Sequence, residues 1–542
     1  GTRFILQGGT QNNLAAVKAQ VDFILDRFKG TGLTPEITVH KHAGEAGAIG
    51  AAFEAMSLWE QGRQTTFIGL DAVRHIKYQT TVGEETRCNF CKNHCLRTFI
   101  DIGTENGDGT RRLIVATCEK GAVEDLGAMK AIQAELDAAR EANPNFLEYA
   151  GRQIWKYHSE KRAPERKRRL TELREKVRVG IPRVLGMFSY APLFQVYFEN
   201  LGLLSGNVVF SDFTNEEMFR AGSKRGSIDP CYPSKLGLAH VHNLIYEKHR
   251  KKPLNYIFFP MFDVLRSPLV NIRASNACPT TALTPEVVRA AFTKEQDLFG
   301  EHGITYLNPL LDVSKPHLLA RQMFEVWGPV LRLSKEENLE AVEEGLAALD
   351  RYETDLRRKA RQTIDELERE GGVGVVLLGR PYHHDPGINL GIPEELQKRG
   401  YPVFSQAALP LDQDLLERLF GDEVKEGIIN HPLDVSDVWK HTFSANSAYK
   451  VWAAKFTARH PNLAAVELSN FKCGHDAPIY STIEKIIETS GTPYFAFKDI
   501  DENRPTGSIR LRVETIDYFL KLYRKELQAQ KSAELRPVQQ AR

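Results

Sequence analysis

The sequence RCNFCKNHC at residues 87–95 carries three cysteines within eight residues, and ATCEKG at residues 116–121 brings a fourth. Tight turns with this spacing direct several thiolates at one point, and four thiolates are what a tetrahedral zinc ion or a 4Fe–4S cube requires. Buried free thiols are the other interpretation, although packing alone does not call for so dense a cluster. We therefore predict a metal site whose ligands are the four cysteines of these segments, Cys88, Cys91, Cys95 and Cys118.

Two short strands are predicted between Cys95 and Cys118. Residues 96–102 (LRTFIDI) alternate in polarity, residues 103–109 (GTENGDG) form a Gly-rich turn, and residues 111–116 (RRLIVA) resume the strand pattern. Two such segments joined by a glycine turn are typical of a β-hairpin. The hairpin would return Cys118 to the side of the first three cysteines.

Length and composition exclude several classes of protein. The 542 residues are enough for about three or four domains. Because 71 Lys and Arg balance 70 Asp and Glu, no global charge attracts nucleic acid or a membrane surface. No segment approaches the about 20 apolar residues that a membrane span needs. Seven cysteines without a secretory signal favour metal or redox chemistry in the cytoplasm over a disulfide framework.

A strand–turn–helix unit opens the chain. Residues 4–7 (FILQ) form a short apolar strand, Gly8 and Gly9 form a turn, and an amphipathic helix is predicted from Leu14 to Phe28. A glycine turn at this place lets backbone N–H groups approach a ligand, often a nucleotide. The simpler interpretation of two glycines is a tight connection. A second strand and a helix rich in small residues follow before residue 56.

Two α/β units are predicted in the rest of the chain. In each, apolar strands such as residues 374–379 (GVVLLG) alternate with helical segments, which indicates βαβ units and a parallel sheet. The predicted order is a first domain, the cysteine-rich segment, a charged helical linker, an α/β lobe, a linker helix, a second α/β lobe and a polar tail. These seven segments are residues 1–78, 79–126, 127–178, 179–333, 334–372, 373–527 and 528–542.

Three further cysteines, Cys231, Cys278 and Cys473, lie on loops flanked by Pro or Gly. Each loop follows an apolar strand or precedes a helix, and such loops form the carboxyl edge of a parallel sheet, where ligands bind. Taken alone, each cysteine is more typical of a buried thiol. The residues by themselves therefore leave a second metal site and three packing thiols open.

Several polar residues near these loops are candidate catalytic groups. Residues 379–385 (GRPYHHD) follow a buried strand, and a histidine there would donate a proton or hydrogen-bond a substrate carbonyl. A histidine that caps the next helix or faces solvent fits the sequence equally well. The candidates are His383, His384, Asn389, Asn470 and Asp476.

The opening unit resembles the carboxyl-terminal end of the acetate kinase, sugar kinase and Hsp70-type ATPase fold (ASKHA, actin-like). More narrowly, it is similar to the activators of 2-hydroxyacyl-CoA dehydratases and benzoyl-CoA-type reductases. The resemblance implies that Gly8, Gly9 and Asn13 touch ATP. It also implies that the phosphate-binding strands of the fold precede this segment, so the chain would be part of a longer protein and would bind ATP only through the missing part.

Residues 179–521 resemble the cluster-bearing subunits of 2-hydroxyacyl-CoA dehydratases. The resemblance rests on the wide spacing of the three late cysteines and on KDIDE at residues 498–502 and RVETI at residues 512–516. It implies two Rossmann-like α/β lobes with a 4Fe–4S cluster between them. Three cysteines would hold that cluster, leaving one iron open to a substrate carbonyl or to water.

The first cysteine cluster is similar to a segment of large activator-related proteins that fuse activase domains to a dehydratase-like module. Their pattern of three close cysteines, a strand pair and Cys-Glu-x-Gly is present here as CNFCKNHC and CEKG. The expected fold is therefore α/β: the end of an ASKHA domain, a cysteine-rich segment and two Rossmann-like lobes. Iron–sulfur is favoured over zinc at both sites.

The resemblance implies an iron–sulfur component of an ATP-dependent, low-potential electron-transfer system. The chain would be an oxidoreductase or a component of a lyase similar to (R)-2-hydroxyacyl-CoA dehydratase, with a four-cysteine relay cluster and a three-cysteine cluster. Expected partners are an acyl-CoA or another small substrate, ferredoxin or flavodoxin as electron donor, the activase domain and a second copy in a homodimer. The alternatives are a non-catalytic module that docks a separate enzyme and a zinc-stabilised interaction protein.

Overall fold

The computed structural model describes residues 2–65, 67, 69–90, 94–103, 110–116, 118–160, 168–226, 228–502 and 506–534. Cys91 and most of the predicted hairpin turn lie outside these residues. The chain divides into two compact units, Gly1–Val123 and Glu124–Arg542. It is a mixed α/β protein with several parallel sheets. None of the described helices is long and apolar enough to cross a membrane.

The first unit combines a parallel strand pair with a separate antiparallel sheet. Its elements are β1 (Arg3–Leu6), α1 (Leu14–Phe28), β2 (Glu36–Val39), α2 (Ala46–Glu60), α3 (Leu70–His75), β3 (Tyr78–Thr81), β4 (Thr98–Gly103) and β5 (Thr110–Val115). The predicted hairpin is confirmed, because β4 and β5 pair antiparallel with Thr98 opposite Val115. The predicted helix α1 has the expected bounds.

The amino-terminal part of this unit has little core of its own. Among the described residues before Thr86, only Ala43 is buried. Apolar side chains on α1 and α2 face outward. Leu14 of α1 is 82% exposed, and Phe53 and Trp59 of α2 are 63% and 69% exposed. This part of the chain therefore presents apolar surface rather than a closed interior.

The second unit contains two parallel four-stranded sheets, in the strand orders β10-β8-β6-β7 and β13-β12-β14-β15, and a two-stranded pair of β9 and β11. The strands are β6 (Val179–Ile181), β7 (Val208–Phe210), β8 (Tyr256–Phe258), β9 (Met261–Val264), β10 (Thr305–Leu307), β11 (Leu310–Asp312), β12 (Gly374–Leu378), β13 (Val403–Ser405), β14 (Leu463–Leu468) and β15 (Tyr494–Phe497). The predicted βαβ alternation is thus confirmed in both halves.

Helices cover both sheets. They are α4 (Leu126–Ala142), α5 (Phe146–Gln153), α6 (Arg168–Arg174), α7 (Met187–Asn200), α8 (Glu216–Gly222), α9 (Tyr232–Asn243, continued by a π-helical turn at Leu244–His249), α10 (Pro279–Thr293), α11 (Leu298–Glu301), α12 (Pro316–Leu331), α13 (Lys335–Glu370), α14 (Ile392–Lys398), α15 (Gln413–Lys425), α16 (Ala445–Arg459), α17 (Tyr480–Thr489) and α18 (Thr506–Glu534). All residues of β12 and β14 are buried, as expected for parallel strands with helices on both faces.

Parts of the two segments that were predicted as charged linkers, α5 and α13, pack in the core. Helix α13 buries an apolar stripe that packs along α7, and one apolar cluster extends through both sheets. Phe146 of α5 stacks on Phe404 with ring centroids 5.1 Å apart. Just before α5, Pro144 O accepts a hydrogen bond from Val403 N at 2.9 Å. Burying one face of a charged helix in this way accounts for its stability.

Candidate functional site

Cys231, Cys278 and Cys473 line one small cavity of about 60 Å³ in the second unit. Cys231 and Cys278 are the N-cap residues of α9 and α10, and a proline in the first turn begins each helix. Cys473 lies on the loop between β14 and α17. The fold thus brings three thiols that are far apart in sequence to the wall of the same cavity.

Polar contacts fix the loop that carries Cys473. Asn470 accepts a hydrogen bond from Lys472 N at 2.9 Å and donates its side-chain amide to Ile500 O. The Lys472 ammonium then pairs with Asp229, which lies two residues before Cys231. Asn470, predicted as a catalytic candidate, therefore holds the loop in place, and the ion pair ties two of the cysteine loops together.

Burial governs the ionisation of Cys231 and Cys473. It raises the pKa of Cys231 to about 11, and the neighbouring Cys278 and Cys473 would repel a second negative charge. Burial also raises the pKa of Cys473, although the Arg380 guanidinium acts in the opposite direction. Without a bound cation these two thiols stay protonated at neutral pH, whereas a metal ligand gives up its proton.

A buried ion cluster lies beside the cysteine cavity. Arg380 Nη2 donates to Asp476 Oδ1 at 2.6 Å, and Lys450 Nζ lies 3.2 Å from Asp476 Oδ2 and 2.7 Å from Glu467 Oε1. Burial alone would raise the pKa of Asp476, but the charges of Arg380 and Lys450 outweigh it and hold that pKa well below its usual value. Asp476, another catalytic candidate, is thus an ionised partner of two cations.

The two predicted histidines are buried and neutral. Burial lowers the pKa of His383 to about 3 and that of His384 to about 4. His383 Nδ1 accepts the backbone N–H of Arg380 at 2.8 Å, so its proton is on Nε2. This approach requires a glycine before Arg380, because a Cβ on Gly379 would lie 2.6 Å from His383 Nδ1.

In Asn389, the remaining catalytic candidate, both the nitrogen and the oxygen of the side-chain amide are hydrogen-bonded to the backbone. It donates to His383 O at 3.0 Å and accepts from Gly391 N at 3.0 Å. It is buried and lines neither the cysteine cavity nor its larger neighbour. These contacts shape the turn after β12.

A larger cavity of about 430 Å³ adjoins the cysteine cavity and shares Tyr190, Arg380 and Asn446 with it. Both histidines line it, together with side chains from the ends of β12 and β13. Ser405 and Gln406, at the end of β13, were not among the predicted site residues. Their position at the carboxyl end of a parallel strand is the signal that points to them.

In the first unit, Arg97 holds together the segments that carry the early cysteines. It is 9% exposed, and its guanidinium donates to Thr86 O at 2.9 Å and to Val123 O at 3.0 Å. Cys88 N donates to Cys95 O at 2.9 Å, and Cys118 caps a short 3₁₀ turn at Glu119–Ala122. Cys91, the fourth predicted ligand, lies outside the described residues.

The predicted nucleotide residues lie on one turn. Gly8 has φ of 98°, a left-handed value that favours glycine, and Gly9 begins a 3₁₀ turn. Asn13 is the N-cap of α1, and its side chain accepts from Ala15 N at 3.0 Å. The sequence signal is thus satisfied by local structure, and ATP contact at this turn stays a prediction.

No group of three or more His, Cys, Asp or Glu side chains in the described part of the chain is arranged to hold a metal ion. This result covers Cys231, Cys278 and Cys473, which are all described. It does not cover the complete four-cysteine set, because Cys91 is not described.

Comparison with known proteins identifies one region of similarity. Residues 178–409 match a family model described as CoA enzyme activase uncharacterised domain. The match extends from β6 through β13 and includes Cys231, Cys278 and Arg380, whereas Cys473 and the whole first unit lie outside it. No curated protein matches the chain. Residues 178–409 are therefore similar to a domain that is associated with CoA-enzyme activases.

Proposed function

We propose that this chain, with its domain related to CoA-enzyme activases, is an iron–sulfur component of an ATP-dependent, low-potential electron-transfer system. The observation that carries the proposal is the convergence of Cys231, Cys278 and Cys473 on one small cavity. Cysteines used only for packing have no reason to meet at the ends of three separate loops. A shared ligand gives such a reason.

The three thiols are a donor set that an iron–sulfur cluster can use, whereas a structural zinc ion takes four protein ligands. A 4Fe–4S cube held by Cys231, Cys278 and Cys473 would keep one iron without a cysteine. When bound, it would supply one-electron transfer and an open coordination position.

The surrounding residues would adjust the properties of such a cluster. The Arg380 guanidinium lies against the cysteine cavity and opposes the burial that raises the pKa of Cys473, so it stabilises negative charge on sulfur. The amino termini of α9 and α10 add positive ends of helix dipoles at Cys231 and Cys278. Both effects favour the reduced, more negative state and raise the reduction potential.

The proposal assigns a relay role to the first unit. Cys88, Cys91, Cys95 and Cys118 would hold a second 4Fe–4S cluster that receives electrons from ferredoxin or flavodoxin. Residues 1–78 would belong to an ASKHA domain that binds ATP with Gly8, Gly9 and Asn13 once the rest of that domain is present. The two parallel sheets would be Rossmann-like lobes, in a homodimer that serves a CoA-linked reaction.

Single-cysteine variants test the proposal. We expect anaerobically purified Cys473→Ala to contain about four fewer iron and sulfide equivalents than the wild type. Cys118→Ala is the reciprocal control and should lose a similar amount from the first unit while keeping the second cluster. Electron paramagnetic resonance of each reduced variant should show one signal in place of two. Equal iron content in both variants and the wild type would refute the assignment.

A further test separates an enzyme from a relay. An acyl-CoA that binds the open iron should perturb the signal retained by Cys118→Ala. If the signal is unchanged at saturating acyl-CoA, the chain transfers electrons to a separate enzyme instead.

A further inference from the structure

We propose that the 430 Å³ cavity beside the cysteines binds a small, free monocarboxylate with an apolar body, and that Arg380 binds its carboxylate. The cavity lies where β12, β13 and β14 end, at the carboxyl edge of the second parallel sheet. Ligands of open α/β sheets bind at this edge. The inference goes beyond the proposed function, because it relies on this chain's side chains and does not require a cluster.

Four buried side chains bring unpaired polar atoms to this cavity. Arg380, His384, Ser405 and Gln406 line it, and each is at most 4% exposed. Within the described part of the chain, no hydrogen-bond partner exists for the atoms Arg380 Nε and Nη1, His384 Nδ1, Ser405 Oγ and Gln406 Oε1. Buried polar atoms are nearly always paired in folded proteins. Several unpaired atoms on side chains that line one cavity therefore point to a ligand that pairs with them.

The charged groups of the wall favour a ligand with no more than one negative charge. Three arginines line the cavity, Arg266, Arg357 and Arg380, and each has a carboxylate partner: Asp350, Glu353 and, outside the lining, Asp476. Arg266 already pairs with Asp350 at 2.6 Å and Arg357 with Glu353 at 3.4 Å. The buried histidines are neutral and add no charge. A diphosphate or a nucleotide would bring more negative charge than this wall neutralises.

Arg380 is the group best placed to hold the carboxylate. Its Nη2 atom donates hydrogen bonds to Asp476 Oδ1 and to Ser447 Oγ, while Nε and Nη1 still have hydrogens to donate. Hydrogen bonds from guanidinium to carboxylate are about twice as strong as neutral ones. Most of the other lining residues, including Phe188, Leu265 and Leu356, are apolar and suit a hydrocarbon body.

Isothermal titration calorimetry of the full chain with hexanoate tests the inference, with the neutral isostere hexanamide for comparison. We expect hexanoate to bind with one-to-one stoichiometry and hexanamide to bind at least about tenfold more weakly. Arg380→Gln should weaken hexanoate binding by about 10- to 100-fold. Arg399→Gln, which removes an arginine outside the cavity that pairs with Glu395, should change nothing.

A second variant keeps the test decisive if Arg380→Gln does not fold, as judged by circular dichroism. Ser405→Ala removes a neutral partner and should weaken hexanoate binding about 2- to 10-fold. The inference is overturned if hexanoate does not bind, if hexanamide binds as tightly, or if Ser405→Ala binds like the wild type.

Iron content of the same samples separates this inference from the proposed function. Hexanoate binding by a sample without iron would support the carboxylate site and count against the iron–sulfur function. Iron without hexanoate binding would refute the carboxylate site alone.

Discussion

Replacing Asp476 by asparagine is expected to destabilise the second unit strongly. Asp476 is 1% exposed and contacts the cations of Arg380 and Lys450 at 2.6 and 3.2 Å. Ser469 Oγ donates to the same carboxylate at 2.8 Å. Asparagine keeps the size of the side chain but removes the charge that two buried cations share. Lys450 would then keep Glu467 as a partner, and Arg380 would lose its buried carboxylate among the described residues.

The magnitude follows from the burial of the cluster. Removing one partner of a buried ion pair costs about 3–5 kcal/mol of the free energy of unfolding, because the remaining charge is left uncompensated. The pKa of Asp476 lies below its usual value, so this stabilisation is fully present above the unfolded pKa of about 4. It is lost as the pH falls toward the folded pKa. The difference between wild type and variant should therefore shrink below about pH 4.

Urea denaturation followed by tryptophan fluorescence measures this difference. Trp327 and Trp452 are fully buried in the second unit and report its unfolding. Asp229→Asn is the matched control, because Asp229 also has two lysine partners, Lys235 and Lys472, but is exposed. We expect its denaturation midpoint to match the wild type. Equal midpoints for both variants, or a difference that persists undiminished in acid, would show that the buried charge of Asp476 does not stabilise the unit.

Three further predictions concern single residues. Gly8→Ala should destabilise the turn before α1 by about 1–2 kcal/mol, because φ of 98° is strained for alanine; unchanged hydrogen exchange in α1 would contradict this. The His384 resonance in ¹³C-histidine NMR should not titrate between pH 5 and 8, because burial lowers its pKa to about 4; a midpoint near 6.5 would show a solvated ring. In metal-free protein at pH 8, Cys231 should react with iodoacetamide more slowly than free cysteine, because burial raises its pKa to about 11. The rate is measured by mass spectrometry of the alkylated peptide, and a rate equal to or above that of free cysteine would contradict the prediction.

The regular elements follow from local sequence where apolar residues are periodic or contiguous. The run 374–378 gives the buried strand β12, and the alternation around the Gly-rich turn gives β4 and β5. In other places, a charged overall composition conceals the fact that one face of a helix is buried. Helix α13 was expected to be a linker because its overall composition is charged, yet its apolar stripe packs on α7. Composition averages over both faces of a helix, whereas packing depends on one face.

The site was predictable only in part. The loops of Cys231, Cys278 and Cys473 stood out by their flanking prolines and glycine, and the fold brings them to one cavity. The partners of buried charges were not predictable, because Arg380 and Asp476 meet through tertiary contacts across 96 positions of sequence. The one sequence signal for this ion pair was Arg380, a charged residue directly after the apolar run 374–379.

The histidines show the limit of assigning roles by residue type. His383 and His384 were predicted to donate a proton or to hydrogen-bond a substrate carbonyl. Burial makes both of them neutral at physiological pH, and His383 accepts a backbone hydrogen bond. Whether a histidine is charged depends on its surroundings in the fold. As neutral rings they are suited to hydrogen bonding, and a catalytic role for either stays a prediction.

The most direct test of the central claim is the iron and acid-labile sulfide content of the anaerobically purified chain, measured together with its visible spectrum. We expect a brown protein with about eight iron and eight sulfide equivalents, corresponding to two cubes. A colourless protein that carries zinc and no sulfide would contradict that claim and leave the cysteines with a structural role.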